Sequence, residues 1–374
     1  MTSAQQFAKT RLSALLSPAG VAIDGSAPYD LRVHDERAFS RILAAGSLGL
    51  GESFMDGWWS ADRLDELAFR IFRAGLDRTA ADPGRLVRKL AAWVLPRGRR
   101  ARAFVVGERH YDSGNDLFAW MLDRRMIYSC AYWKDAATLE EAQERKLDLV
   151  CRKAGLKPGQ KVLDIGCGWG GFARFAAERH GVEVTGVTVS KEQVGPARER
   201  VRGLPVEIRL QDYRELSGRF DAVVSLGMFE HVGPRHHRTF LRQARRCLAD
   251  DGLLVLHTIG ASETTAAPDP WIEKYIFPET HLPSLAQIAR AAEGLFVVED
   301  VHNFGAHYDR TLMAWEANVE AHRAAIAERY GERFLRMWHF YLLSCAGSFR
   351  ARHVQLYQLV LSPGGVRGGW APVR

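Results

Sequence analysis

The segment KVLDIGCGWGG at 161–171 narrows the possible folds more than any other part of the chain. Its apolar, β-prone run (Val162, Leu163, Ile165) carries Asp164 near its end and gives way to a turn containing Gly166, Gly168, Gly170 and Gly171. A helical pattern starts at Phe172. Strand, glycine turn and helix in that order let a backbone approach a nucleotide-like ligand closely. A glycine turn alone fits many α/β proteins. The spacing D-x-G-x-G-x-G-G is more selective. A dinucleotide fold calls for G-x-G-x-x-G and an acidic residue about twenty positions on. Here the next expected strand, 182–187, runs into Thr188-Val189-Ser190 with no acid, which argues against NAD.

The rest of the chain supports a sheet built around that turn. Strands are expected at 162–165, 182–187, 206–210, 222–226 and 253–257, alternating with helices, and a last one at 354–361 after two long helical stretches. Such alternation predicts a parallel sheet with helices on both faces. Ligands of these sheets bind beyond the carboxyl ends of the strands. The candidate site segments are therefore 166–171, 188–193, 211–213, 227–231 and 257–260. Residues 110–152 read as a helical entry to the sheet, and the Gly- and Pro-containing tail from 362 as disordered. Upstream, apolar residues recur at helical spacing around Phe39, Ile42 and Leu43 and at Leu64, Leu67, Ala68 and Ile71. Between them the glycine-punctuated 46–59 reads as a loop or turn set, and 96–100 as a linker. The expectation is a smaller, mostly helical N-terminal domain (1–102) and an α/β catalytic domain (103–374).

A chain of 374 residues suits two domains. It has no apolar run of membrane-spanning length, and Lys9 and Arg11 interrupt any signal-peptide core. Five scattered cysteines without C-x-x-C or zinc spacing suit a reducing compartment, so a cytoplasmic protein is expected. The net charge of +7 is uneven: 85–102 holds seven Lys/Arg and no acid, with Leu86, Val87, Leu90, Trp93 and Val94 at helical spacing. That pattern fits a helix lying on an anionic surface, and equally a solvated helix packed on a core. Nucleic acid is the other reading of a basic chain, but no aromatic-interleaved binding motif supports it.

Several segments jointly resemble one family. The glycine turn resembles the first motif of class I S-adenosylmethionine (SAM) methyltransferases. With it stand HYDSGND at 110–116, YSCAYW at 128–133, GMFEHVGP at 227–234, LHTIG at 256–260, FGAHYD at 304–309 and SCAGSFR at 344–350. Together they look like the cyclopropane-fatty-acyl-phospholipid synthases, kin of the mycolic acid cyclopropane synthases. The N-terminal GSLGLGESFMDGWW is similar to the phospholipid-acting branch. The implied fold is a class I SAM-methyltransferase Rossmann-like sheet with a helical N-terminal domain.

The resemblance implies that SAM donates a methyl group to a cis double bond of a phospholipid acyl chain, and that loss of a proton closes a three-membered ring. It implies a SAM site formed by Tyr128, Ser129, Gly166, Gly168, Gly170, Thr188, Ser190 and Gln193, with Asp212 and Tyr213 flanking the adenine. The family's base is a bound bicarbonate, whose pocket maps onto the side chains of Glu230, His257 and Tyr308 and backbone groups of Cys130 and Ile259. Cys345 matches a cysteine often placed in the active site, although its apolar helical neighbours fit a small core residue equally well. His257 and Tyr308, taken singly, also fit ordinary packing positions. Tyr132, Phe229 and Tyr308 are candidate aromatic faces for a carbocation. The resemblance further implies a homodimer held peripherally on an anionic bilayer, at the inner face of the membrane, with no nucleic-acid partner. The alternatives are a related methyltransferase giving methyl- or methylene-branched chains, a nucleic-acid methyltransferase, and a non-catalytic lipid-binding module. The second lacks its usual Asn/Asp-Pro-Pro-aromatic motif after the fourth strand, and the intact glycines argue against the third.

Overall fold

The structure, a computed structural model, describes residues 2–79, 114–264 and 268–374. They fall into two compact units. One gathers Met1–Leu95, Ala266–Pro278 and Tyr308–Val354; the other gathers Pro96–Thr265, Glu279–His307 and Gln355–Arg374. The expected boundary at 102/103, the linker at 96–100 and the basic stretch 85–102 lie outside the described residues, as do His110 to Ser113 of the HYDSGND segment.

The second unit contains a seven-stranded sheet: β1 (Lys161–Ile165), β2 (Glu183–Thr188), β3 (Val206–Leu210), β4 (Phe220–Leu226), β5 (Leu248–Ala261), β6 (Val297–Asn303) and β7 (Val354–Ser362). Their order is β3-β2-β1-β4-β5-β7-β6. The five strands from β3 to β5 pair in parallel, and β6 pairs antiparallel with β7. The order reverses between β1 and β4, which makes their carboxyl ends the place where a ligand crevice opens. Side chains alternate across the sheet. Leu163, Ile165, Val223 and Leu254 pack on one face with Phe240 and Leu241. Val162, Val184, Val224 and Val255 pack on the other with Phe172 and Ala176.

Three parts of this unit differ from the sequence expectation. The entry segment is two helices, Asn115–Met121 and Leu139–Lys153, rather than one helical run. The Asp123 carboxylate breaks it by accepting from the Arg125 N–H (3.0 Å) and the Ile127 N–H (2.8 Å), with Met126 at φ 59°. Strand β6 was not anticipated, because Glu299 and Asp300 interrupt its apolar residues. In the fold Asp300 lies 3.5 Å from the Lys153 ammonium. The tail is ordered against β6: Arg374 makes two 2.7 Å bonds to the Asp300 carboxylate, and the Val366 N–H donates to Glu299 at 2.8 Å. Ion pairing and hydrogen bonds hold this glycine-rich segment, whose Val366, Trp370 and Val373 are half-buried.

The first unit is helical apart from two two-residue strands, Arg32–Val33 and Trp59–Ser60. Helix Glu332–Arg350 lies against helix Leu64–Arg73 so closely that a Cβ on Gly347 would come within 2.5 Å of the Asp65 carbonyl oxygen. Arg350 then bridges the Asp65 and Asp309 carboxylates at 2.8 and 2.9 Å. This packing draws 308–354 together with the N-terminal helices, so the compact units do not follow a single cut in the sequence. The glycine-punctuated 46–59 also proves to be largely helix, Ser47–Met55. Its glycines serve close packing rather than turning: a Cβ on Gly49 would sit 2.2 Å from the Arg41 carbonyl oxygen, and one on Gly51 would sit 2.3 Å from the Trp271 indole. Gly51→Ala is therefore expected to destabilise the protein by about 1–3 kcal/mol through overpacking. Thermal unfolding checks this; a transition at the wild-type temperature would contradict it.

Candidate active site

β1 delivers the chain into the glycine turn. Gly166, Gly168 and Gly170 have φ of 90°, 53° and 78°, a region that side chains other than glycine disfavour. Gly166 faces β4's end so closely that its absent Cβ would lie 2.7 Å from the Met228 Cβ. The Gly166 and Cys167 N–H groups bond the Val187 carbonyl of β2 at 2.9 and 3.0 Å, fixing the turn to the sheet. Gly170 caps helix Gly171–His180, whose N-terminal end carries the positive side of the helix dipole.

A cavity opens over these strand ends. Tyr128, Ser129, Gly166, Gly168, Thr188, Ser190, Gln193, Asp212 and Tyr213 all line it; Gly170 does not. After β2, Thr188 Oγ1 donates to Gln193 Oε1 at 3.2 Å, and Ser190 Oγ accepts from the Gln193 N–H as the cap of helix Lys191–Arg200. This buried hydroxyl–amide pair occupies the place where a dinucleotide fold has its acid. Asp212 is buried and accepts from the backbone and side-chain nitrogens of Arg214, both at 2.9 Å. The Tyr213 ring packs on Phe240, and burial pushes its hydroxyl up to about 12.

Beyond the turn, the short helix Phe229–His231 presents Glu230 to β5. The carboxyl is buried, and its Oε1 accepts from the Ile259 N–H at 2.6 Å. Its Oε2 has no protein partner. Burial raises Glu230 to about 7. His257 stands two residues before Ile259 on β5, so both side chains project to the same face of the strand. Its ring is 1% exposed, and burial holds its pKa well below the ordinary histidine range. Its Nδ1 lies 3.4 Å from Gln358 Nε2 of β7, whereas Nε2 has no protein partner. In the tautomer that accepts at Nδ1, the His257 proton sits on Nε2. The structure thus places one carboxyl oxygen and one imidazole nitrogen, each buried and each lacking a protein partner, around neighbouring residues of β5. Such atoms are costly unless a ligand or water meets them. Cys130 is buried, its thiol donating to the Ala131 carbonyl at 3.3 Å.

The remaining candidates divide between the two units. Tyr308 and Cys345 belong to the helical unit. There the Tyr308 ring packs on Phe349 (4.5 Å) and Trp315 (5.9 Å). Burial pushes the Cys345 thiol up to about 12, so it is not a thiolate nucleophile at neutral pH. Phe229 is covered by the stacked ring of His237 at 4.4 Å, and Tyr132 packs among His302, Phe304 and His307; neither lines the cavity.

Some site residues escaped the sequence reading. Asn115 of the HYDSGND segment accepts from Trp169 Nε1 at 2.8 Å and donates to the Glu192 carbonyl at 3.3 Å, tying that segment to the glycine turn and the helix after β2. Asp164 lines the cavity with Oδ2 unpartnered, and burial raises it to about 7. Lys146 is fully buried and donates to Ser129 Oγ at 2.7 Å. The signal for it was present: Leu139, Ala142, Gln143, Lys146, Leu147, Val150 and Lys153 fall on one helical face, so a lysine sits where the pattern requires burial.

A cavity over the β1/β4 switch, with this strand order and an antiparallel β6–β7 pair, defines a class I SAM-methyltransferase fold. Comparison with known proteins narrows the class. A family model described as mycolic acid cyclopropane synthetase matches residues 99–359. The chain is 54% identical over 351 residues to the cyclopropane-fatty-acyl-phospholipid synthase of Escherichia coli K12, covering 94% of this chain and 92% of that protein. It is 34% identical to the tuberculostearic acid methyltransferase UfaA1 of Mycobacterium tuberculosis, covering 91% and 84%. Among solved structures, the mycolic acid cyclopropane synthase CmaA1, complexed with SAH and CTAB, matches at 33% identity with a TM-score of 0.65, over 69% of this chain and 97% of that one. The chain belongs to the mycolic acid cyclopropane synthetase family.

The turn's geometry makes a direct prediction. Gly166→Ala forces a side chain to φ 90° and into Met228, and is expected to weaken SAH binding about tenfold or more. Isothermal titration calorimetry reads this, and an unchanged dissociation constant would contradict it.

Proposed function

We propose that this chain transfers the methyl carbon of SAM to the cis double bond of an unsaturated phospholipid acyl chain and closes a cyclopropane ring. The alkene π pair attacks the methyl carbon, the carbon–sulfur bond breaks, and S-adenosylhomocysteine leaves. The carbocation then loses a proton from the transferred carbon, and the electron pair of that C–H bond closes the ring. An alkene is a weak nucleophile, so position and orientation supply much of the acceleration. The carbocation is a strong acid, so a weak base suffices where water is excluded.

The SAM site of this reading is Tyr128, Ser129, Gly166, Gly168, Gly170, Thr188, Ser190, Gln193, Asp212 and Tyr213. The observation that carries the base is the pair of buried atoms without protein partners, Glu230 Oε2 and His257 Nε2. Their chemistry fits a small anion with both a hydroxyl and acceptor oxygens. When bound there, bicarbonate supplies the base that takes the ring-closing proton. Glu230 Oε2 would hold its hydroxyl, and the His257 Nε2–H and a backbone group of Cys130 its oxygens, while the Ile259 N–H, already given to Glu230 Oε1, holds the carboxyl in place.

We also infer a cytoplasmic enzyme that docks peripherally as a homodimer on the anionic inner leaflet. The net charge of +7 and the basic, amphipathic sequence at 85–102 support this, and among the described residues no helix is long and apolar enough to cross a membrane.

Liposomes of cis-unsaturated phospholipid incubated with methyl-¹³C SAM test the reading. The expected product carries the label in a ring methylene by NMR. Label in a methyl or methylene branch would favour the chemistry suggested by the likeness to the tuberculostearic acid methyltransferase, and no label in lipid would contradict methyl transfer. Removal of dissolved CO2 is expected to suppress ring formation, and added bicarbonate to restore it. Glu230→Gln is expected to lower kcat by about 10²-fold, the scale of a lost acid–base group, with SAH affinity nearly unchanged. Full turnover in that variant would remove Glu230 from the chemistry.

A further inference from the structure

We propose that Lys146 is a positioning residue whose fixed charge holds the anion in the Glu230–His257 pocket; this rests on the bicarbonate reading above. The side chain is fully buried on the inward face of helix Leu139–Lys153. Its Nζ donates to Ser129 Oγ at 2.7 Å, so it lies directly behind the segment that lines the SAM cavity at Ser129 and continues into Cys130, which the bicarbonate reading assigns to the anion pocket. Among the described residues no carboxylate comes within ion-pairing distance of it. The ionisable groups whose charge acts on it are Cys130, Asp123 and Asp164, and burial raises both carboxyls above the ordinary range, Asp164 to about 7.

Lys153, seven residues later on the same helix face and equally buried, makes the contrast. Its Nζ is 3.5 Å from the Asp300 carboxylate, which is itself anchored by Arg374, and 3.2 Å from His302 Nδ1. One buried lysine therefore has a carboxylate within ion-pairing distance and, among the described residues, the other has none. A buried cation without an anion is costly, and a bound anion relieves that cost. The Lys146 charge also opposes protonation of His257, leaving the imidazole neutral with its Nε2 turned to no protein group. A neutral imidazole donor, a carboxyl oxygen and a nearby ammonium together select a small monoanion over water.

The test compares wild type with Lys146→Met, which keeps the shape of the chain and removes the charge, and Lys146→Arg, which keeps the charge. Ring formation is titrated with bicarbonate in CO2-free buffer, and SAH binding is measured by calorimetry. Loss of a close charge is expected to raise the half-saturating bicarbonate concentration of Lys146→Met about tenfold or more, while kcat at saturation and SAH affinity change by less than about threefold. Lys146→Arg is expected to recover most of the bicarbonate affinity. A merely structural lysine would instead shift SAH affinity and kcat along with bicarbonate. If Lys146→Met does not fold, Lys146→Gln, which retains a donor for Ser129, carries the same expectation. Half-saturation within about twofold of wild type in a folded neutral variant would overturn the role of Lys146 and leave the bicarbonate reading intact. Wild-type turnover independent of bicarbonate would overturn both.

Discussion

The hydrogen bond from the Ile259 N–H to Glu230 Oε1 is the interaction on which the site depends. It clamps the short helix after β4 to the end of β5 and fixes which carboxyl oxygen is left over. The surrounding backbone reinforces the clamp: the Gly227 N–H donates to the His257 carbonyl at 2.9 Å, and the His281 N–H to the Glu230 carbonyl at 2.9 Å. The same loop leans on the glycine turn through Met228 and Gly166. A shift of Glu230 would thus disturb both the SAM cavity and the polar pocket.

That pocket is destabilising by itself. Each buried polar atom left without a partner costs about 1–3 kcal/mol. Glu230 Oε2, His257 Nε2 and Asp164 Oδ2 all carry this cost within the sheet-bearing unit. A sequence under pressure for stability alone would replace such groups with apolar ones.

Much of this was legible in the sequence because it is local and periodic. The parallel strands announced themselves as apolar runs followed by turn residues, and the glycines at 166, 168 and 170 matched a spacing with a mechanical meaning. What escaped depends on partners distant in sequence. β6 hid because Asp300 is acceptable in a strand only with Lys153 and Arg374 beside it. Helix Ser47–Met55 read as a loop because its glycines answer to Arg41 and Trp271 rather than to a turn. The grouping of 308–354 with the N-terminal helices escaped for the same reason: helix Glu332–Arg350 packs with helix Leu64–Arg73, and nothing in either segment states that pairing. Cys345, matched by motif, lies where burial keeps its thiol protonated. The lysine at 146 was visible as a misfit on an apolar helix face, but its meaning required knowing that Ser129 lies in front of it.

The central claim is that Glu230 Oε2 and His257 Nε2 serve one small anion beside the methyl donor. The most direct measurement is a crystal structure of the protein grown with S-adenosylhomocysteine in bicarbonate-containing solution. The account predicts a planar oxyanion, three oxygens about one carbon, bonded to Glu230 Oε2 and His257 Nε2, next to the S-adenosylhomocysteine sulfur. Two separate waters on those atoms, or an anion bound away from them, would contradict it.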